Sequence, residues 1–393
     1  MYALEKSRHI SPNISVSESL LRASGPAGHC RILYVIGQLD PGGAELQLCY
    51  LLRTMDRERY NPAVAVWHYR EDDLNAPLFQ SLGIPVYTFP GLHSSATKLM
   101  ALRRLVKEVK PEIVHSYSFF TNFAAWYSTF GSGTISIGSI RQDFLNEYRS
   151  AGRIVGRLSA RWPGSQICNS LAALKTVEDT SQLFKPTQLQ VVSNRLDIDR
   201  VKPHPLPQGR PNLLAMGRLE PEKRWDRLLR CVALAASKGA DFSVRLAGDG
   251  SLMEKLKDDA KTLRVDNRVK FLGLQRDIPS LLRDSTFLVH TADAEGCPNA
   301  VMEAMASGRA VVATDAGDVP YIVEDGVTGF VVRRGDDATL VERMVKLITE
   351  RDLCRRMGEA GRAKAEREFC LGRLVEETLA AYRSAGWKDA CQA

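Results

Sequence analysis

"TFLVHTADAEGCPNAVMEAMASGRAVVATDAG", residues 286–317, changes period twice within thirty-two residues. Residues 286–293 read as an apolar buried strand, 297–308 as a helix, and "RAVVATDAG" opens on another apolar run. Pro298 suits the first helical turn and Gly308 the helix end. Glu295 then falls in the loop ahead of the helix. Glu303 falls about five residues inside it, ~7–8 Å further along the axis. Strand, helix and strand in this order define a parallel α/β unit.

The unit recurs in both directions. "RILYVIGQLDPGGAELQLCYLL" (31–52), "NPAVAVWHY", "IPVYTF", "ATKLMALRRLVKEVK" and "PEIVHSYS" alternate strand and helix through the first half. After residue 190 the alternation restarts with "LQVVSNRLDI", and "RVKPHPLPQGRPN" reads as a linker. The expected fold is α/β, two doubly wound Rossmann-like domains facing each other across a cleft. The expected division is a flexible extension over 1–29, a first domain over 30–192, and a second over 193–373. A final helix at about 374–390 is expected to pack back on the first domain.

The length of 393 residues suits two domains. No run approaches the ~18–20 apolar residues of a membrane span. The polar, Ser-rich start lacks the basic and apolar regions of a signal peptide. Eight cysteines without C-x-x-C or zinc spacing read as free thiols of a cytoplasmic protein. The net charge of +7 lies mostly before residue 200. It fits anionic substrates or an anionic membrane face, and without aromatic interleaving it excludes nucleic acid.

Ligands of such sheets bind outside the carboxyl ends of the strands, where the distinctive motifs fall. In "DPGGAE" (40–45), Gly42 and Gly43 let backbone N–H groups approach a ligand. The spacing is neither a P-loop nor G-x-G-x-x-G. In "GRLEPEKRWDRLL" (217–229), Arg218 and Lys223 flank a turn and together can clamp a diphosphate. The N–H groups near Cys297, Pro298 (which lacks one), Asn299 and Ala300 surround a helix start, a seat for phosphate or hydroxyls. Glu295 and Glu303 can then accept hydrogen bonds from hydroxyl-rich groups on either side, such as a sugar and a ribose.

"EGCPNAVMEAMASGRAVVATDAGDVPYIVEDGVTGFVV" resembles the E-x7-E signature region of the family 4 retaining glycosyltransferases, which have the GT-B fold. "GRLEPEKRWDRLL" is similar to the family's G-R-L-x-x-x-K segment, "LAGDGSLMEKL" to its Gly-x-Gly turn and "DPGGAE" to its N-domain glycine loop. The resemblance implies Glu295 near the donor sugar, Glu303 on the ribose, and Arg218 and Lys223 on the diphosphate. It implies backbone of 297–300 around the sugar, Gly42 and Gly43 near the phosphates, and the Gln275 region at the base. The implied enzyme is a hexosyltransferase using a UDP- or GDP-sugar. No cofactor or metal is implied. Three positions depart from the pattern: "HSY" (His115 and Tyr117) for H-x-H, Arg195 for glycine in "NRLD", and Cys297 for a bulky apolar residue. His115 remains the candidate for contact with the transferred sugar or acceptor.

Asp197 and Asp199 form a literal D-x-D near the linker, where Asp197 is expected to cap a helix. "SIRQDFLNEYRSAGRIVGRLSARW" (139–162) carries Arg149, Arg153, Arg157 and Arg161 at i+4 spacing. It reads as a basic amphipathic helix suited to anionic lipid. The expected acceptor is therefore a glycan or a lipid-linked molecule, with peripheral contact on the inner membrane face and a role in cell-surface polysaccharide or glycolipid synthesis. Two alternatives stand beside this reading: a nucleotide-sugar 2-epimerase on the same frame, and a catalytically silent sugar-nucleotide binding protein.

Overall fold

Seven strands open the fold: β1 (Ile32–Ile36), β2 (Pro62–Val66), β3 (Val86–Thr88), β4 (Ile113–Ser116), β5 (Ile135–Ile140), β6 (Ser165–Cys168) and β7 (Gln188–Val191). They form one parallel sheet in the order β3-β2-β1-β4-β5-β6-β7. Six more follow: β8 (Asn212–Met216), β9 (Ser243–Ala247), β10 (Val269–Gly273), β11 (Phe287–His290), β12 (Ala310–Thr314) and β13 (Gly329–Val332). These make a second parallel sheet, β10-β9-β8-β11-β12-β13. This computed structural model describes residues 32–389 apart from 41, 71, 72, 74 and 181–183. The expected extension over 1–29, Cys30 and Cys391 lie outside the described residues.

Both sheets have helices on both faces, so their central strands are apolar throughout. β1, "ILYVI", and β12, "AVVAT", are buried at every residue. The strand expected to restart the alternation, β7, instead pairs with β6 and completes the first sheet.

Three further expectations are corrected. Residues 139–162 are not one helix. Helices Phe144–Ser150 and Arg153–Arg161 meet at Gly152, whose φ of +79° breaks the run. Arg149 therefore lies on a different helix from Arg153, Arg157 and Arg161. Asp197 caps no helix; it pairs with Arg53. Pro298 is the N-cap of helix Asn299–Ala306 rather than a residue of its first turn.

The last helix, Gly372–Ser384, crosses to the first lobe. Tyr382 Oη lies 2.7 Å from His115 Nδ1, and Trp387 Nε1 donates to Glu112 at 2.8 Å. Arg195 grips Glu377 on this helix through two 2.8 Å contacts, which gives the unexpected arginine of "NRLD" its role. Among the described residues, no helix is long and apolar enough to cross a membrane.

Candidate active site

β8 runs into a turn, Pro221–Lys223, that is tied to the end of β11. Asp293 N–H donates to Glu222 O at 2.9 Å, and Thr291 Oγ1 to Lys223 O at 3.0 Å. This tie carries Lys223 onto the loop ahead of helix Asn299–Ala306. Its ammonium forms an ion pair with Glu295 Oε1. His290 Nε2 lies 2.9 Å from the same oxygen, outside hydrogen-bond alignment. Burial alone would raise the Glu295 carboxyl. Lys223 and His290 outweigh it and hold the carboxyl down at about 2, so it is ionised at neutral pH.

Glu303 has no such partner. Burial raises its carboxyl to about 7, offset in part by Arg200. Arg200 also lowers the Asp277 carboxyl slightly, two residues beyond Gln275. The Gln275 amide donates to Leu272 O at 2.7 Å. Arg218 is half-exposed, pairs with Glu222 at 3.1 Å and faces Glu45 of the first lobe. The two expected clamp residues are thus on one loop, with Lys223 against Glu295 and Arg218 nearer the solvent.

The loop 295–298 is held close by neighbours that leave no room for a side chain. A Cβ on Gly317, whose φ is +55°, would stand 2.3 Å from Gly296 O. One on Gly296 would stand 2.7 Å from both Arg141 O and Asn169 Oδ1 of the first lobe. The Cys297 thiol packs on Met302, and burial pushes it up to about 12, so it stays protonated. Asn194 Nδ2 donates to Cys297 O at 2.9 Å and to Asn299 Oδ1 at 2.8 Å. Asn299 in turn lies against Gly43, so the glycine loop faces the start of this helix, with Ala300 in its first turn. Gly42 is the N-cap of helix Gly43–Thr54, and the Glu45 carboxylate folds over it.

His115 does not fit the role expected of it. It is 1 % exposed, and both ring nitrogens are engaged, Nδ1 by Tyr382 Oη and Nε2 by Ser139 Oγ at 3.0 Å. Burial, with Arg141 nearby, holds its pKa well below the usual histidine value, so it is neutral. Tyr117 is equally buried, but its ring carries Arg141, whose guanidinium carbon lies 3.8 Å from the ring centre.

Sequence reasoning missed His290, Asn194, Gln47, Glu45, Arg141, Asn169 and Asp318. Gln47 exchanges hydrogen bonds with the Arg195 backbone at 2.7 and 2.9 Å. Asp318 of the second lobe accepts the Leu171 and Ala172 N–H groups of the first at 3.0 and 2.8 Å. Glu45 carried a signal, being an acid directly after two glycines. The others read as ordinary strand-end or linker residues, and Gln47 as one more residue of the first helix.

Two parallel sheets whose carboxyl ends meet around this loop make the GT-B architecture. The solved structure of Anabaena HepE in complex with UDP-glucose has the same fold, with a TM-score of 0.77 over 91 % of this chain and 100 % of that one, at 22 % identity. Residues 198–364 match the family of glycosyl transferases group 1. N-acetyl-alpha-D-glucosaminyl L-malate synthase of Bacillus anthracis is 26 % identical over 212 residues, 51 % of this chain and 55 % of that protein. The chain thus spans about half the length of that relative. An uncharacterized glycosyltransferase of Haemophilus influenzae is 24 % identical over 318 residues, 77 % of this chain and 87 % of its own.

Proposed function

We propose that the protein is a retaining hexosyltransferase that moves a sugar from a UDP- or GDP-sugar to a glycan or lipid-linked acceptor. The observation that carries this reading is the meeting of Lys223 and Glu295 at the start of helix Asn299–Ala306, opposite Gly42 and Gly43. Breaking the anomeric carbon–oxygen bond puts charge on the leaving diphosphate. Lys223, Arg218 and the helix start supply positive potential there, which neutralises that charge without a metal. The ionised Glu295 accepts sugar hydroxyls, and Glu303 accepts those of the ribose. In a front-face transfer, the leaving phosphate oxygen takes the proton of the attacking acceptor hydroxyl. The named neighbour HepE was solved with UDP-glucose, which supports a nucleotide-sugar donor here.

The acceptor side favours a membrane-bound substrate. Helix Arg153–Arg161 exposes Ile154 (75 %) and Val155 (42 %) between the exposed Arg153 and Arg157. Just past the other end of this helix Trp162 stacks on Trp126 at 5.2 Å, and Phe130, against Trp126, is 61 % exposed. Arginine heads with aromatic and aliphatic neighbours suit the headgroup layer of an anionic bilayer. On this reading the enzyme works on the cytoplasmic face, in cell-surface polysaccharide or glycolipid synthesis.

Thermal shift with UDP-, GDP- and ADP-sugars tests donor binding, and steady-state transfer by Lys223→Ala tests the clamp. Stabilisation by none of these donors, or transfer within a few-fold of the parent, overturns the reading.

A further inference from the structure

Opposite Glu295, the first lobe places two polar side chains that the fold leaves unsatisfied. Arg141 follows β5, and Asn169 follows β6. Arg141 Nε is buried without a hydrogen-bond partner, and so is Asn169 Oδ1, whose residue is 4 % exposed. The position of Arg141 is fixed independently of any ligand. The Arg141 guanidinium lies on the Tyr117 ring, and its backbone N–H donates to both Glu147 oxygens at 3.2 Å. Gly296 lies against both residues, so they stand beside the loop that carries Glu295.

A guanidinium with a buried, unpartnered N–H is costly without an anion, and a buried carbonyl is costly without a donor. No carboxylate lies within 4 Å of the Arg141 guanidinium among the described residues. The two carboxyls that act on it, Glu45 and Glu147, are pushed up by burial to about 7 and about 8. Glu147 is therefore largely neutral at neutral pH and Glu45 about half so, which leaves the arginine charge only partly cancelled.

We propose that Arg141, held flat on Tyr117, and Asn169 form an acceptor subsite. Arg141 takes an anionic oxygen group of the acceptor, and Asn169 Oδ1 accepts a hydrogen bond from a neighbouring hydroxyl. The pair complements an oxyacid beside an alcohol: a guanidinium binds phosphate or carboxylate with two parallel N–H groups, and an amide oxygen orients a hydroxyl. Its place beside Gly296 sets that hydroxyl near the donor sugar at Glu295. The assignment rests on the transferase reading and adds to it the charge of the acceptor.

Calorimetry on the full chain tests it. UDP is titrated first, then glucose 6-phosphate, glucuronate or glucose into the UDP-saturated protein, which keeps the diphosphate seat occupied. The expected result is binding of one anionic sugar at least tenfold tighter than glucose, the better of the two identifying phosphate or carboxylate. Arg141→Met abolishes that preference, Arg141→Lys keeps part of it, and both leave UDP affinity within a few-fold. Equal binding of all three sugars by the parent protein, or a preference that survives Arg141→Met, overturns the subsite alone. GDP takes the place of UDP where UDP does not bind, and failure of both overturns the donor reading and the subsite with it. Melting temperatures of the two variants, with Arg141→Lys retaining the cation on Tyr117, separate loss of the site from loss of the fold.

Discussion

Lys223 and Glu295 neutralise each other at the head of helix Asn299–Ala306, 72 residues apart in the chain and both largely buried. Each holds the other where a donor needs it: a cation for the diphosphate and an ionised acid for the sugar. Removing one partner strands the other. Lys223→Met is expected to cost about 3 kcal/mol in denaturant unfolding. The double variant K223M/E295Q should cost clearly less than the sum of the two single changes. Additive costs would mean that the pair is not coupled. Donor turnover by Lys223→Met should fall roughly a hundredfold or more.

Glu303 makes donor affinity and stability depend on pH in opposite directions. Its folded-state pKa of about 7 lies above the ordinary value of 4.5. Below 4.5 both folded and unfolded chains carry the proton, and stability is full. Between 4.5 and about 7 the unfolded chain ionises first, so stability falls as pH rises. Each such group contributes a slope of about 1.4 kcal/mol per pH unit there. Glu45 and Glu147 share this direction. Glu303→Gln should therefore flatten, without abolishing, the loss measured by urea unfolding from pH 5 to 7. Ribose hydroxyls need the ionised form, so parent UDP affinity should rise through pH 7 more steeply than that of Glu303→Gln. Parallel pH profiles would remove Glu303 from the ribose.

The strand–helix–strand unit over 286–317 was legible because parallel strands covered on both faces become unbroken apolar runs. The same pattern put Glu295 in a loop and Glu303 inside the helix. What it could not reveal were partners distant in sequence. His290 reads as one more strand residue in "TFLVHTAD", yet it lies against Glu295. His115 looked free at a strand end until Tyr382, 267 residues later, took one of its nitrogens. Arg141 ends an apolar strand like any loop arginine, and only the folded chain sets it on Tyr117. The basic helix was misread as continuous because i+4 arginine spacing outweighed Gly152, whose left-handed backbone ends the run.

His115 should behave as a structural residue. His115→Ala strands Ser139 Oγ and leaves the Tyr382 hydroxyl only its 3.3 Å contact to Tyr34, and should cost about 2–3 kcal/mol in unfolding experiments. Because the ring is neutral and enclosed, turnover per folded molecule should stay within about threefold of the parent. A hundredfold loss of kcat in folded protein would restore the histidine to the reaction.

Exposed Ile154 predicts a membrane phenotype separable from chemistry. Ile154→Asp places a charge where an aliphatic side chain would enter the headgroup layer. Flotation with phosphatidylglycerol vesicles should recover several-fold less of this variant, and less still of R153E/R157E. Turnover with a water-soluble acceptor should be unchanged. Equal recovery of parent and variants, or equal parent recovery on phosphatidylcholine vesicles, would exclude this face as the docking surface.

Gly296 separates donor binding from lobe closure. A Cβ there would stand 2.7 Å from Arg141 O and from Asn169 Oδ1, so one lobe must shift to admit it. Lys223, Glu295 and Glu303 all belong to the second lobe, and the glycine's own backbone is not left-handed. Gly296→Ala should therefore leave UDP affinity within about threefold while lowering kcat roughly tenfold or more, since small misplacements of reacting groups are costly. Calorimetry beside steady-state kinetics reads the two effects separately. A variant that loses UDP affinity and kcat in the same proportion would show that the 295–298 loop itself had been distorted. One that keeps full turnover would show that transfer does not depend on the close approach of Arg141 and Asn169 to Gly296.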